Sequence, residues 1–357
     1  MKQVTSVLIG AGLRGGHVYT QYALEHPDEM LLKKEKMADC AMVCTQDQMH
    51  CEPVVMAMEK GYHVLCEKPM SPKKEEILKM GEFAEKYDRI LSVCHVLRYS
   101  PFFSRIKSLL EEGVIGRLIS IQHIEEVGYW HHAHSFVRGN WRNAELSSPM
   151  ILQKCCHDMD ILLWLADSRC KKISSFGELS YFKEENAPEE APLYCMDGCA
   201  HRERCPFYAP RFYLEHKKAE EDGLVYAVTT TADREHVLEA LKKGPYGRCV
   251  FHCDNTVVDH QSVEIEFENG VTASFLMTAF TNHCARKIRL MGTKGELKGD
   301  MEKGVIEWVD FVTGITQTVQ LHTTSKGHSG SDMSMMHDFV RMVGEGKKGK
   351  TDAAVSV

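Results

Sequence analysis

The sequence predicts an α/β chain of two domains: a parallel sheet wound with helices, then an α/β domain with an open, largely antiparallel sheet. Up to His95, short apolar runs alternate with helical stretches; from Leu118 onward the strand-like runs lengthen and alternate in polarity. A length of 357 residues with 43% hydrophobic content is enough for a core in each domain.

Residues 4–9 (VTSVLI) form a β-branched apolar run ending at Gly10, which reads as a buried parallel strand. A helical stretch follows over 13–26 and stops at Pro27. Residues 40–45 read as a second buried strand, and 52–60 as a helix closed by Gly61, which leads into a strand over 62–66. A charged amphipathic helix spans 73–87 and a further strand 90–95. Strands and helices alternating in this order imply a parallel sheet covered on both faces.

The change of texture places a boundary between domains 1–117 and 118–357. Strand-like runs lie at 118–126, 262–267, 271–280 and 288–291, with a helix around 159–165. Asn269-Gly270 separates Val263, Ile265 and Phe267 from Ala273, Phe275 and Met277, a hairpin pattern. Residues 183–192 are acidic and contain proline, so they read as an exposed excursion. The Gly/Lys-rich stretch 344–350 reads as a frayed tail.

A formal charge of −7 gives no bulk attraction to polyanions, which argues against nucleic acid or an anionic membrane as partner. The first apolar run is too short for a signal peptide, and no stretch approaches the ~18–20 apolar residues that span a bilayer. These features predict a cytoplasmic protein. Its fourteen cysteines are then read as mostly buried, reduced thiols.

Gly10-Ala11-Gly12-Leu13-Arg14-Gly15 directly follows a strand and opens a helix. Glycines there permit a tight turn, close approach of backbone to a pyrophosphate and tight helix packing, while the helix N-terminus supplies free N–H groups. This is the dinucleotide fingerprint of an N-terminal Rossmann parallel sheet. Glu67-Lys68-Pro69 follows the strand at 62–66, and the carboxyl end of such a strand is where ligands bind. A lysine so placed can bond a substrate hydroxyl. The alternative is a surface ion pair of Glu67 with Lys68.

Together with the glycine turn, Thr45-Gln46-Asp47-Gln48-Met49-His50 and Gly61-Tyr62-His63-Val64-Leu65-Cys66-Glu67-Lys68-Pro69 closely resemble the glucose–fructose oxidoreductase/inositol dehydrogenase (Gfo/Idh/MocA) family. The resemblance continues through Gly116, His157-Asp158-Met159-Asp160 and Met291-Gly292-Thr293-Lys294-Gly295, nearly the whole chain. It implies a C-terminal α/β domain with an open, largely antiparallel sheet, NAD or NADP as cofactor, and hydride transfer at a carbinol carbon of a sugar, polyol or glycoside. It also implies a homodimer or homotetramer formed through the open sheet face. By the same resemblance Gly10, Gly12 and Arg14, with Leu13 and Gly15 in the turn, hold the pyrophosphate. Thr45, Asp47 and His50 flank the ribose and nicotinamide. Glu67 and Lys68 line the nicotinamide side, with Lys68 on the substrate hydroxyl, and His95, Arg98 and Asp160 line the active site.

Lys154-Cys155-Cys156-His157 sits at a helix start. In the family this histidine is commonly the general acid/base, assisted by an aspartate four residues earlier. Here that position is Gln153, which leaves Lys154 as a candidate substitute. An unperturbed histidine titrates near pH ~6.5, suited to moving an alcohol proton.

Residues 129–142 hold three histidines, two tryptophans and two arginines. Trp130 and Trp141 suit sugar C–H faces, and His131, His134 and Arg138 suit hydroxyls or a carboxylate; a structural loop is the alternative. Cys195, Cys199 and Cys205 raise a structural zinc or an iron–sulfur cluster, with Cys249, His252 or Cys253 as a fourth ligand; free structural thiols are the alternative.

The fingerprint expects an acidic residue at the end of a second strand to bond the adenosine ribose. Met30 instead runs into Leu31-Leu32-Lys33-Lys34, with no room for a strand and its helix, so a unit reads as missing between residues 30 and 31. A disordered gap is the favoured explanation, since losing a central strand exposes sheet edges. The chain also reads as stopping before a closing helix. Two rival readings remain: a glycosidase-like enzyme that oxidises C3 transiently and then eliminates, and a non-catalytic NAD-binding regulator.

Overall fold

The structure, a computed structural model, describes residues 3–10, 12–32, 38–322, 330–347 and 349–352. The first sheet is built from β1 (Val4–Ile9), β2 (Met30–Leu32), β3 (Cys40–Val43), β4 (His63–Cys66) and β5 (Leu91–Val93). Their order is β2-β1-β3-β4-β5, and every pairing is parallel. Both faces are covered, which is why the strands are apolar on both sides. Helices α2 (Cys51–Glu59) and α3 (Lys74–Lys86) bring Val54, Met58 and Met80 against Val43, Val64 and Leu91. On the other face lies α1 (Thr20–Glu25), entered through a π-helical stretch, Leu13–Tyr19.

That face differs from expectation in two places. The chain is continuous through β2, which pairs from Val4↔Met30 to Ser6↔Leu32, so no gap separates residues 30 and 31. The second strand is present but only three residues long, and the chain is back in the sheet at Cys40. Residues 33–37, between the two strands, lie outside the described residues.

The rest of the chain supplies α4 (Pro101–Glu111), β6 (Leu118–Glu126), α5 (Tyr129–His132), α6 (Met150–Gln153), α7 (Cys156–Ala166) and β7 (Cys170–Glu178). Four short helices follow: α8 (Ala209–Glu215), α9 (Lys217–Glu221), α10 (Val225–Val228) and α11 (Arg234–Lys243). Then come β8 (His260–Phe267), β9 (Thr272–Thr278), β10 (Ala285–Gly292), β11 (Gly295–Asp300), β12 (Val305–Asp310), β13 (Thr316–Gln320) and α12 (Ser331–Glu345).

The second sheet runs β13-β12-β11-β10-β6-β9-β8-β7, antiparallel except for the β6–β9 pair. Helices α4 and α7 cover one face, setting Phe102, Phe103, Ile161 and Leu162 on Ile121, Phe275, Ile288 and Leu297. Each such side chain, fully buried, contributes about 1.5–3 kcal/mol. The other face is uncovered, and Ile173 and Phe176 of β7 are exposed. The predicted hairpin joins β8 to β9: Phe267 N–H donates to the Val271 carbonyl at 2.9 Å, and Gly270 takes the left-handed conformation, φ +83°, that its loop requires.

A closing helix exists, and it takes up the start of the stretch read as a frayed tail. α12 packs Met335, Met336, Phe339 and Val340 on the first sheet, against Val4, Tyr19, Met30 and Cys40. Beyond it the Lys350 carbonyl accepts from Arg98 at 3.0 Å and the Thr351 carbonyl from Val93 N–H at 3.0 Å. A single cut at 117/118 does not convey this return, because residues 331–352 complete the first domain.

Candidate active site

Parallel strands deliver the residues that follow them to one edge. The ends of β1, β3, β4 and β5 present Gly10, the segment 45–47, Glu67 with Lys68, and His95.

The glycine turn divides its tasks. A Cβ on Gly10, whose φ is +94°, would lie 2.6 Å from the Cys44 carbonyl oxygen, and one on Gly15 would lie 2.2 Å from the Gly10 carbonyl oxygen. Both positions are set by close packing inside the fold. A Cβ on Gly12 would meet nothing within 4 Å, so open backbone faces outward there at the start of a helix, the geometry a pyrophosphate needs. These residues fit a dinucleotide. The Leu13 side chain lies outside the described part of the structure. Residues 33–37, which follow β2, lie outside the described residues; the next acidic side chain, Asp39, accepts from the Thr5 N–H and hydroxyl, each at 2.7 Å, at the strands' starting edge.

Arg14 is engaged by partners within the fold. Its Nε donates to Glu67 at 2.7 Å and one terminal nitrogen to Asp332 of α12 at 2.9 Å, so two carboxylates already match its charge. Burial alone would push the Glu67 carboxyl up; the Arg14 guanidinium and the Tyr19 hydroxyl that donates to it hold it below the usual carboxylate range. Thr45 donates its hydroxyl to the Met49 carbonyl at 3.3 Å. His50 is buried, its ring nitrogens 2.9 Å from the Pro69 carbonyl and 3.0 Å from the Thr45 carbonyl, so it braces the Lys68–Pro69 turn.

Lys68 is half-buried and donates from Nζ to the Gln153 carbonyl at 2.8 Å. Gln153 ends α6, four residues before His157 in the first turn of α7. The His157 ring stands edge-on to His95, centroids 6.3 Å apart, and Lys68 acts electrostatically on both His95 and Cys156. Lys68 and His157 thus border one group of side chains around His95. Burial pushes the His95 imidazole below its ordinary pKa, with Asp160 pulling the other way. Arg98 clamps Asp160 with two bonds, 2.8 and 2.6 Å, and Asp160 lies 3.9 Å from His95.

Lys154 takes a different place. It pairs at 3.1 Å with buried Glu125 of β6. Burial works most strongly to lower its pKa, but Glu125 together with Cys284 and Asp158 outweighs this and the pKa is raised, which favours the ammonium form. Arg286 of β10 forms an ion pair with the same Glu125 at 2.8 Å and donates to Asp158 at 2.7 Å, and His123 lies 2.8 Å from Asp158. This buried network, which sequence reasoning missed because its members sit on separate elements, pins the first turn of α7 to β6 and β10.

The aromatic and histidine run is largely interior rather than lining this cleft. Trp130 is buried and stacks on Phe212 at 6.2 Å, and His131 contacts the Cys284 sulfur at 3.6 Å. His134 is bonded to the Tyr213 hydroxyl at 2.7 Å and stacks on Tyr246 at 4.8 Å; burial drives its imidazole down to about 3. Arg138 is wholly buried and donates to the Arg248 and Phe207 carbonyls at 2.7 and 2.6 Å. Trp141 alone of these five is exposed, resting on Phe136.

The metal expectation is corrected. Cys195, Cys199, Cys205 and Cys249 line one narrow cavity, but Arg138 lines it too, its guanidinium 3.6 Å from the Cys195 sulfur. Burial pushes the Cys249 thiol up to about 11 and raises that of Cys205 as well. Among the described residues no group of three or more His, Cys, Asp or Glu is arranged to hold a metal ion. All fourteen cysteines are free thiols. No helix among the described residues is long and apolar enough to cross a membrane.

Comparison with known proteins agrees with this architecture. Residues 7–95 match the model of the oxidoreductase family's NAD-binding Rossmann fold, and residues 107–355 match that of its C-terminal alpha/beta domain. The protein YteT of Bacillus subtilis (strain 168) is 23% identical over 329 residues, 87% of this chain and 74% of that protein. Inositol 2-dehydrogenase of Corynebacterium glutamicum is 29% identical over 136 residues, 38% of this chain and only 37% of that protein. A levoglucosan dehydrogenase solved with NADH and levoglucosan shares the fold, with a TM-score of 0.68 at 15% identity, over 99% of this chain and 93% of that one. With both family models matched in order across a glycine turn, a parallel sheet and a second, open sheet, the chain belongs to the Gfo/Idh/MocA family of NAD-binding oxidoreductases.

Proposed function

We propose that the chain reversibly oxidises a secondary alcohol of a sugar, polyol or glycoside, using NAD or NADP, with Lys68 and His157 handling the hydroxyl proton. The observation that supports this most is the meeting of Lys68, from the end of β4, and His157, from the start of α7, around His95. The bound nicotinamide supplies the hydride acceptor. Lys68 Nζ, already placed by the Gln153 carbonyl, donates to the substrate oxygen and orients it. His157 takes the hydroxyl proton, and its position is fixed because the buried Arg286–Asp158 pair anchors the helix turn that carries it. Arg98 and Asp160 neutralise one another beneath His95, which favours an uncharged, hydroxylated substrate over an anion. The uncovered face of the second sheet is where this reading places contact with further copies of the chain.

The test is a panel of sugars, polyols and glycosides offered with NAD and with NADP, following absorbance of the reduced nicotinamide. Stoichiometric reduction with at least one polyol or sugar is expected. Substrate cleavage with no net cofactor reduction would replace oxidation by an oxidation–elimination cycle, and no reaction with any member would remove the dehydrogenase reading.

A further inference from the structure

We propose that Asp47 is a positioning residue for this reaction: through Gln153 it sets the carbonyl against which Lys68 is held. The inference rests on the reading of Lys68 and His157 given above.

Asp47 opens a short turn after β3 and is 2% exposed. Its Oδ2 accepts from the Ser148 hydroxyl and, at 3.4 Å, from the Gln153 side-chain amide. Gln153 offers its carbonyl to Lys68 Nζ at 2.8 Å. Next door, the Gln48 side chain donates to the Glu145 and Ser147 carbonyls at 2.6 and 3.2 Å. One short turn of the first domain therefore grips the segment that leads into α7, and the last residue gripped is the acceptor for Lys68.

Shape alone does not explain a carboxylate here. An asparagine would accept the same two bonds without burying a charge. Asp47 Oδ1 is buried and has no hydrogen-bond donor. A carboxylate left half-satisfied inside a protein is disfavoured unless its charge serves something. The cation at the far end of the same chain of bonds is Lys68. Gln153 carries no charge of its own and stands between the two, its side chain on Asp47 and its carbonyl on Lys68.

The experiment compares the full-length chain with Asp47→Ala, Asp47→Asn and Ser148→Ala. Three quantities are read: turnover on the best substrate of the panel, the Kd for NADH by fluorescence titration, and the rate at which acetic anhydride acetylates Lys68, read by mass spectrometry. Asp47→Ala is expected to lower kcat by about tenfold or more, with the NADH Kd within about threefold of the parent. Acetylation of Lys68 should speed by about threefold as its carbonyl partner is released. Asp47→Asn, which keeps the bonds, should retain the parent's Lys68 labelling but lower kcat, by less than Asp47→Ala does. Ser148→Ala should give smaller changes in the same direction and covers the case in which Asp47→Ala does not fold. Unchanged kcat and unchanged labelling in Asp47→Ala would overturn the proposal. So would a loss of NADH affinity that matches the loss of kcat, which would make Asp47 a cofactor contact. Labelling needs no turnover, so a parent chain inactive on the whole panel removes the dehydrogenase reading while Asp47 is still decided.

Discussion

Gly12 and Gly15 share one turn but answer to opposite constraints. At Gly15 an added Cβ runs into the Gly10 carbonyl, whereas at Gly12 it enters open space. Gly15→Ala should therefore lower the melting temperature, by an amount that corresponds to roughly 1–3 kcal/mol of overpacking. Gly12→Val should melt like the parent and yet bind NADH about tenfold or more weakly in a fluorescence titration; unchanged affinity would remove Gly12 from the cofactor cradle. Lys68→Ala is expected to cut kcat by about 10²–10⁴-fold while NADH binding stays within a few-fold, and an unchanged rate would take Lys68 out of the mechanism. These positions were legible in the sequence because each sits at a fixed offset from a strand end. Asp47 could be read only as a member of a motif: its partners Ser148 and Gln153 lie 101 and 106 residues away. The histidine-rich run misled for a related reason. Composition suits a sugar, but nothing local to residues 129–142 records that α8 and the segment 246–253 would pack over them.

Helix α7 shows what holds a functional side chain in place. Glu125, Lys154, Asp158 and Arg286 form a buried set with two charges of each sign, so removing one member leaves another unpaired. Arg286→Met should destabilise the chain by about 3–5 kcal/mol in urea denaturation, and turnover should fall even under conditions where the variant is fully folded. A loss under about 1 kcal/mol would show that the network does not anchor the helix. β1, β3, β4 and β5 of the first sheet and the β8–β9 hairpin were readable because burial on two faces, or on alternate residues, writes itself into the sequence, whereas three-residue β2 was too short to register. β7 was not, since all nine of its residues are exposed and its pattern, CKKISSFGE, records no inward face. β11 to β13 at the opposite side of the sheet carry charged residues between the apolar ones, which hides their alternation in the sequence although each pairs with its neighbour in the sheet.

Over the whole molecule, buried histidines shape the response to acid. Burial lowers the His132 imidazole to about 4, against the pull of Asp259, and the His134 imidazole to about 3. Unfolded, both would titrate near ~6.5. Above that pH neither state binds the proton and the fold keeps its full stability. As pH falls below ~6.5 the unfolded chain takes up protons that the folded one refuses, so stability drains towards pH ~4 by about 1.4 kcal/mol per pH unit for each histidine. The melting temperature should thus drop between about pH 7 and pH 5, and His132→Phe, filling the site beside Phe136 and Phe182, should flatten that slope. An identical slope in the variant would assign the acid response elsewhere.

The crossing of α12 back onto the first sheet has a consequence for how the molecule is made. Phe339 and Val340 cover strands whose residues left the ribosome hundreds of positions earlier, and Asp332 closes the ion pair of Arg14. A nascent chain therefore carries its first domain with one apolar side bare until residues 331–345 have been made, so that the part begun first is completed only after the second sheet.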